Sequence, residues 1–139
     1  MLIINSDGGA RGNPGPAAIG ILIRRDDKIL EKYSQKIKGK TTNNVSEYIA
    51  LIRALEIVLE DYEDKEITCC LDSELLVKQL LGQYRVKNKN LLKLFLKVQE
   101  LQDKFEKIIY KQVKRKDFYK KIADYLVNQE LDNSMKVIR

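Results

Sequence analysis

Two aspartates stand at the ends of apolar runs, where a carboxylate can take part in chemistry. Asp7 ends the first apolar run directly before two glycines, and Asp72 ends another run at the start of a helical segment. Functional sites in sheets with parallel strands tend to form beyond the carboxyl ends of the strands. The ordinary structural roles are a turn-starting Asp at the first position and a helix N-cap at the second. Because Ser73 can supply the cap instead, the structural role of Asp72 is not forced.

Glu47 and Asp124 are two further candidate carboxylates. The residues three, four and seven positions after Glu47 are all apolar (Ala50, Leu51 and Ala54), so Glu47 borders the apolar flank of a predicted helix. A carboxylate that faces a sheet costs several kcal/mol unless it is paired or bound to a metal, and a helix dipole returns only about 0.3–1 kcal/mol. A site role is therefore favoured for Glu47. Asp124 is flanked on its helix by lysines, which is typical of an exposed ion pair, and its candidacy depends on a family resemblance.

The chain contains no histidine, which excludes whole classes of site. Ser/His/Asp and Cys/His nucleophilic centres, histidine acid–base chemistry and histidine zinc sites are all ruled out. The two cysteines, Cys69 and Cys70, are adjacent, a spacing unsuited to an unstrained mutual disulfide, and they lack the partner ligands of a cysteine metal site. Any catalysis must therefore depend on carboxylates, lysines or a bound metal, in a protein that we expect to be reduced and cytoplasmic.

Length and composition predict one globular domain over residues 1–139. The sequence is 44% hydrophobic and 33% charged, and we expect neither a membrane span nor a signal peptide. The formal charge is +6, and residues 83–121 hold thirteen Lys or Arg against four Asp or Glu. Such a basic stretch favours an anionic partner, most commonly nucleic acid, although solvated helix faces explain the charge equally well.

The pattern of apolar residues predicts an α/β fold with the element order βββαβααβα. Three consecutive strands favour an antiparallel meander, and the later strand–helix alternation favours parallel crossovers, so we expect a mixed five-stranded sheet flanked by helices. Residues 8–16 are predicted to form an irregular loop, and residues 132–139 a loosely held tail. The predicted strands cover residues 2–6, 17–24, 29–37, 66–71 and 108–113, and the predicted helices begin near residues 44, 73, 89 and 118, the last ending at 131.

Four motifs resemble the type 1 ribonuclease H family, and they are spread over almost the whole chain. Each motif alone is weak, but four in the same order with fitting intervals are strongly specific. The histidine-free form without a basic protrusion is most similar to bacterial and archaeal members. The matching segments are residues 7–17 (DGGARGNPGPA, the opening strand and glycine loop), 42–51 (TNNVSEYIAL, the Thr-Asn-Asn helix start), 71–77 (LDSELLV, the Asp-Ser strand end) and 122–127 (IADYLV, the final Ala-Asp helix).

The resemblance implies a ribonuclease H-like fold in which Asp7, Glu47, Asp72 and Asp124 converge on two Mg²⁺ ions, with Mn²⁺ as a substitute. Two ions about 3.5–4 Å apart can activate a water and stabilise a leaving oxygen. Carboxylates packed together repel one another without metal, which predicts raised pKa values in the metal-free state. The implied activity is hydrolysis of the RNA strand of RNA–DNA hybrids, leaving 5′-phosphate and 3′-hydroxyl ends, by a protein that we expect to be a monomer.

The resemblance also implies contacts with the substrate. Recognition of 2′-hydroxyls distinguishes RNA from DNA, and a separate pocket grips a phosphate of the DNA strand. The chain departs from the family at two places: Arg115 is the candidate assisting residue in a loop that often holds a histidine, and Lys120 replaces an asparagine. The implied contacts are Gly8, Gly9, Asn13, Asn43 and Asn44 for the 2′-hydroxyls, and Lys40, Thr42 and Asn88 for the phosphate.

Two other functions remain open on this sequence. One is a non-catalytic module on the same fold that binds hybrid or structured RNA, although a pure binder gains nothing from acidic residues clustered near phosphates. The other is a different metal nuclease on this fold, such as a resolvase or an integrase-like catalytic core. The Gly-Asn-Pro-Gly-Pro loop and the Thr-Asn-Asn helix start favour ribonuclease H over both.

Overall fold

A five-stranded mixed sheet forms the centre of the protein. The computed structural model describes residues 1–137. The strands are β1 (Leu2–Ala10), β2 (Gly15–Arg25), β3 (Lys28–Thr41), β4 (Glu66–Leu71) and β5 (Lys107–Gln112). They lie in the order β3-β2-β1-β4-β5, with antiparallel pairing among β1, β2 and β3 and parallel pairing of β4 with β1 and β5. The predicted mixed sheet is confirmed.

Helices cover both faces of this sheet. They are α1 (Asn43–Asp61), α2 (Glu74–Leu80), α3 (Lys89–Gln102) and α4 (Phe118–Val137). The Thr42 side chain begins α1 by accepting a hydrogen bond from the backbone N–H of Val45, and Asn88 begins α3 by accepting from the N–H groups of Asn90 and Leu91. Within residues 1–137, no helix is both long enough and apolar enough to cross a membrane.

The first hairpin differs from the prediction because strand pairing continues into the glycine segment. Residues 8–10 of β1 pair with residues 17–19 of β2. The irregular loop predicted over residues 8–16 is therefore wrong except at residues 11–14. Ladder hydrogen bonds depend on the backbone rather than on side chains, so a regular register can continue through glycine.

The last helix extends past its predicted end. The prediction ended it at Leu131, whereas α4 continues to Val137. Residues 132–137 contain no proline or glycine that would stop a helix. The predicted tail is therefore helical over these six positions, and Ile138 and Arg139 lie outside the described residues.

The two faces of the sheet pack against different helices. Ile19 and Ile21 of β2 belong to the main apolar core, which lies between the sheet and α1 and includes side chains of α2 and α3. Ala18 and Gly20 lie on the opposite face of the sheet, because successive positions of a strand alternate between the two faces. There Ala18 packs against apolar side chains of α4. A Cβ on Gly20 would overlap the backbone carbonyl of Ala123, so α4 lies directly on the strand.

The parallel pairing of β1 with β4 determines where acidic side chains meet. Asn5 of β1 pairs with Cys70 of β4. Asp7 and Asp72 each follow two residues later, so both lie at the same edge of the sheet. The sheet thus brings together two carboxylates that are far apart in the sequence.

We expect Gly20→Ala to destabilise the protein by about 1–3 kcal/mol, because the added methyl group would force α4 away from β2. Urea unfolding followed by circular dichroism measures the change. Gly9→Ala is the matched control, since its methyl group would meet only the Val127 side chain, at 3.3 Å. We expect a smaller loss there, and equal losses in the two variants would contradict a special requirement for glycine beneath α4.

Candidate active site

A cleft of about 630 Å³ opens at the carboxyl end of β1. All four candidate carboxylates line it, each from a different part of the chain: Asp7 from β1, Glu47 from α1, Asp72 from the segment after β4, and Asp124 from α4. The other lining residues are mostly small or basic: Gly8, Gly9, Ala10, Arg11, Asn43, Arg115, Lys120, Lys121, Val127, Asn128 and Leu131.

Gly8 allows α1 to come close to β1. A Cβ on Gly8 would overlap the backbone carbonyl of Ser46, which lies in the first turns of α1. Only glycine leaves room for this approach. Because Glu47 is the next residue, the same contact brings its carboxylate to the wall that Asp7 occupies.

Glu47 has a buried carboxylate oxygen that lacks a partner. Its Oε2 atom is buried without a hydrogen bond. Burial raises the pKa of Glu47 to about 7, and repulsion from Asp72 adds to this, while a hydrogen bond from Ser73 and the charge of Lys120 act in the opposite direction. An unpartnered buried oxygen costs free energy unless it gains a proton or a cation.

Asp7 lies at the centre of the repulsion in the cleft. Its side chain is almost fully buried. Burial raises the pKa of Asp7 to about 8, with further contributions from the charges of Asp72, Asp124 and Glu47 and an opposing one from Lys120. The predicted rise in carboxyl pKa is therefore present at Asp7 and at Glu47.

Lys120 places an ammonium group among these carboxylates. Its Nζ lies 3.5 Å from Asp72 Oδ2 and 3.7 Å from Asp124 Oδ1. Burial acts to lower the pKa of Lys120, but the charges of Asp7, Asp72 and Asp124 outweigh it, so the pKa is raised and the group stays protonated. The i,i+4 spacing in the sequence indicated the pair of Lys120 with Asp124 as an exposed one, and gave no signal of the contact with Asp72.

The carboxylates share a cleft without forming a tight cluster. Among the side chains that the structure describes, no three Asp, Glu, Cys or His residues are close enough to hold one metal ion together. Asp72 and Asp124 instead face the Lys120 ammonium, and Asn128 Nδ2 donates a 3.4 Å hydrogen bond to Asp124 Oδ2. Ser73 caps α2 by accepting from the N–H of Leu76, so Asp72 is not needed as the cap.

Comparison with known proteins identifies the family. Residues 5–130 match the family described as Reverse transcriptase-like. The chain is 39% identical over 134 residues to the bifunctional protein Rv2228c of Mycobacterium tuberculosis (94% of this chain, 35% of that protein). It is 37% identical over 129 residues to ribonuclease HI of Halobacterium salinarum (92% of this chain, 63% of that protein). The crystal structure of LC11-RNase H1 in complex with an RNA/DNA hybrid matches with a TM-score of 0.89 at 39% identity, and the match covers 97% of this chain and 99% of that chain.

The chain belongs to the ribonuclease HI-like family. This confirms the resemblance on which the predicted role of Asp124 depends, while the roles of individual residues stay predictions. The chain spans little more than a third of the length of the mycobacterial relative and less than two thirds of the archaeal ribonuclease HI. It spans almost the whole of the LC11-RNase H1 chain.

The predicted substrate contacts of the ribonuclease HI-like family fall into two groups. Gly8, Gly9, Asn43 and the candidate assisting residue Arg115 line the cleft. The others do not: Asn13 accepts a hydrogen bond from the Asn43 backbone N–H, Thr42 and Asn88 are helix caps, Asn44 is in the first turn of α1, and Lys40 pairs with Pro16 at the end of β3.

Asp7→Asn should stabilise the metal-free protein at alkaline pH. The folded state binds more protons than the unfolded state between the usual Asp value of 3.8 and about 8, so the free energy of unfolding falls as pH rises through that window. An asparagine carries no charge and avoids this loss. At pH 9 we expect the free energy of unfolding of Asp7→Asn to exceed that of wild type by about 1–3 kcal/mol. Thermal unfolding in EDTA measures the difference.

Glu63→Gln is the control for this change, because Glu63 is an exposed carboxylate in the loop between α1 and β4. It should leave the stability at pH 9 nearly unchanged. A loss of stability in Asp7→Asn at pH 9 would contradict the conclusion that repulsion and burial destabilise the Asp7 carboxylate.

Proposed function

We propose that this protein is an endoribonuclease that hydrolyses the RNA strand of RNA–DNA hybrids. The convergence of Asp7, Glu47, Asp72 and Asp124 in one cleft of a ribonuclease HI-like fold carries the proposal. Cutting a phosphodiester requires a deprotonated water in line with the leaving 3′-oxygen, and relief of the negative charge at phosphorus. LC11-RNase H1 was solved with an RNA/DNA hybrid, which supports the same substrate class for this chain.

The four carboxylates are suitable ligands for divalent metal ions. Carboxylate oxygens are hard donors that suit Mg²⁺, with Mn²⁺ as a substitute. The unpartnered Glu47 Oε2 and the raised pKa values of Asp7 and Glu47 both indicate a place that favours added positive charge. Asp7, Glu47, Asp72 and Asp124 would hold the ions, and two bound ions would activate the attacking water and stabilise the leaving oxygen. The contacts of Asp72 and Asp124 with Lys120 must be broken for these two carboxylates to serve as ligands.

The chain's own residues bind and orient the substrate around the cleft. Gly8 and Gly9 bring backbone to the cleft wall beside the Asn43 side chain, and this is where we place recognition of the 2′-hydroxyls of the RNA strand. Arg115 and the basic segment over residues 85–121 attract the phosphate backbone. Arg115 is also the candidate to assist product release. Asn13 and Asn44 complete the proposed 2′-hydroxyl contacts, and Lys40, Thr42 and Asn88 the proposed phosphate pocket.

In the test of this function, we expect the protein to cut the RNA strand of an end-labelled RNA–DNA hybrid in Mg²⁺, leaving 5′-phosphate and 3′-hydroxyl ends. Asp72→Asn removes one proposed metal ligand and should lower the cleavage rate by roughly three orders of magnitude, about 4 kcal/mol of activation free energy. EDTA should abolish cleavage.

Glu63→Gln, which alters a carboxylate on an exposed loop, should cut the same hybrid at the wild-type rate. Tight hybrid binding without cleavage, in either Mg²⁺ or Mn²⁺, would contradict the proposal and indicate a non-catalytic binding module. Cleavage of the DNA strand at the same rate would instead indicate a different metal nuclease on this fold.

A further inference from the structure

Lys120 lies inside the acidic cleft rather than on the solvated face of its helix. Its side chain is only 14% exposed, compared with 22% for Asp72 and 49% for Asp124. The next residue along α4, Lys121, also lines the cleft but is exposed. The chain therefore places one partly buried ammonium group among four carboxylates.

The position of Lys120 follows from the helix. It precedes Asp124 by one turn of α4, so the two side chains share a face. The pair with Asp72 is the more protected from solvent and hence the less screened of the two. The four-carbon stem of Lys120 is flexible, so its ammonium can move away from the carboxylates while the backbone stays in place.

We propose that Lys120 is a displaceable counter-ion of the metal site. Without metal, its ammonium pairs with Asp72 and Asp124 and reduces the repulsion among the carboxylates. A divalent ion that uses the same oxygens must displace it, so Lys120 stabilises the metal-free fold and weakens metal binding. This inference rests on the proposed function, because it takes Asp72 and Asp124 to be metal ligands.

Competition for shared oxygens explains the direction of both effects. An oxygen of Asp72 or Asp124 that is paired with Nζ is less available to a divalent ion, and an ion held by the same carboxylates would be repelled by the nearby ammonium. The free energy of the two lysine contacts is therefore subtracted from the free energy of metal binding. Removing one partner of a partly buried ion pair also leaves the other uncompensated, which destabilises the metal-free protein.

The test compares Lys120→Gln with wild type in the whole chain, without nucleic acid. Isothermal titration calorimetry with Mg²⁺, and separately with Mn²⁺, measures affinity, and thermal unfolding in EDTA measures the stability of the metal-free fold. We expect Lys120→Gln to bind the ions about ten-fold more tightly and to unfold at a lower temperature in EDTA. Lys120→Arg keeps the positive charge and should restore the EDTA melting temperature. Lys32→Gln, which removes an exposed lysine of β3 outside the cleft, should match wild type in both measurements.

The possible outcomes separate this inference from the proposed function. Equal or weaker metal binding by Lys120→Gln would overturn the role of Lys120 and leave the nuclease proposal standing. Failure of wild type and all variants to bind either ion would overturn the metal site itself. If Lys120→Gln is unfolded without a divalent ion, wild type and variant are both titrated in an osmolyte that keeps the metal-free variant folded, and the same ten-fold increase is expected there.

Discussion

Burial of carboxylates that also repel one another in the cleft is the constraint on which the rest of the structure depends. Asp7 is almost fully buried and Glu47 keeps an unpartnered oxygen, so both resist ionisation at neutral pH. No compact fold gains stability from such an arrangement on its own. The charge of Lys120 offsets part of this unfavourable free energy at both carboxylates.

The elements around the cleft hold the carboxylates together against this repulsion. Glycines on two strands let α1 and α4 lie directly on the sheet, from opposite faces. The start of α4 is fixed by a further contact, in which the Arg24 guanidinium lies 3.7 Å from the centre of the Tyr119 ring and donates a 3.0 Å hydrogen bond to Asn5. This contact joins β1, β2 and α4 below the cleft. The favourable free energy of packing elsewhere in the molecule thus offsets the unfavourable free energy of burying carboxylates in the cleft.

Sequence reasoning predicted the sheet and its flanking helices because those depend on local patterns of apolar residues and on cap residues. It also indicated that Glu47 borders the apolar flank of α1, because the residues three, four and seven positions later are apolar, and the structure places Glu47 in the lining of the cleft. The predicted site role of Asp124 depended on the family resemblance, because its local surroundings in the sequence match those of an exposed ion pair. The contact of Lys120 with Asp72 could not be predicted, since it joins residues that only the folded sheet and helix bring together. The close approach of α1 to Gly8 likewise depends on the folded packing, which the sequence alone does not show.

The most direct measurement of the central claim is anomalous diffraction from crystals of the wild-type protein soaked in Mn²⁺. Two anomalous peaks inside the cleft, bonded to oxygens of Asp7, Glu47, Asp72 and Asp124, are the predicted result, with Lys120 Nζ moved away from Asp72. Ordered crystals with Mn²⁺ bound only elsewhere on the surface, and with Lys120 still paired to Asp72 and Asp124, would contradict the claim that these four carboxylates form a metal site.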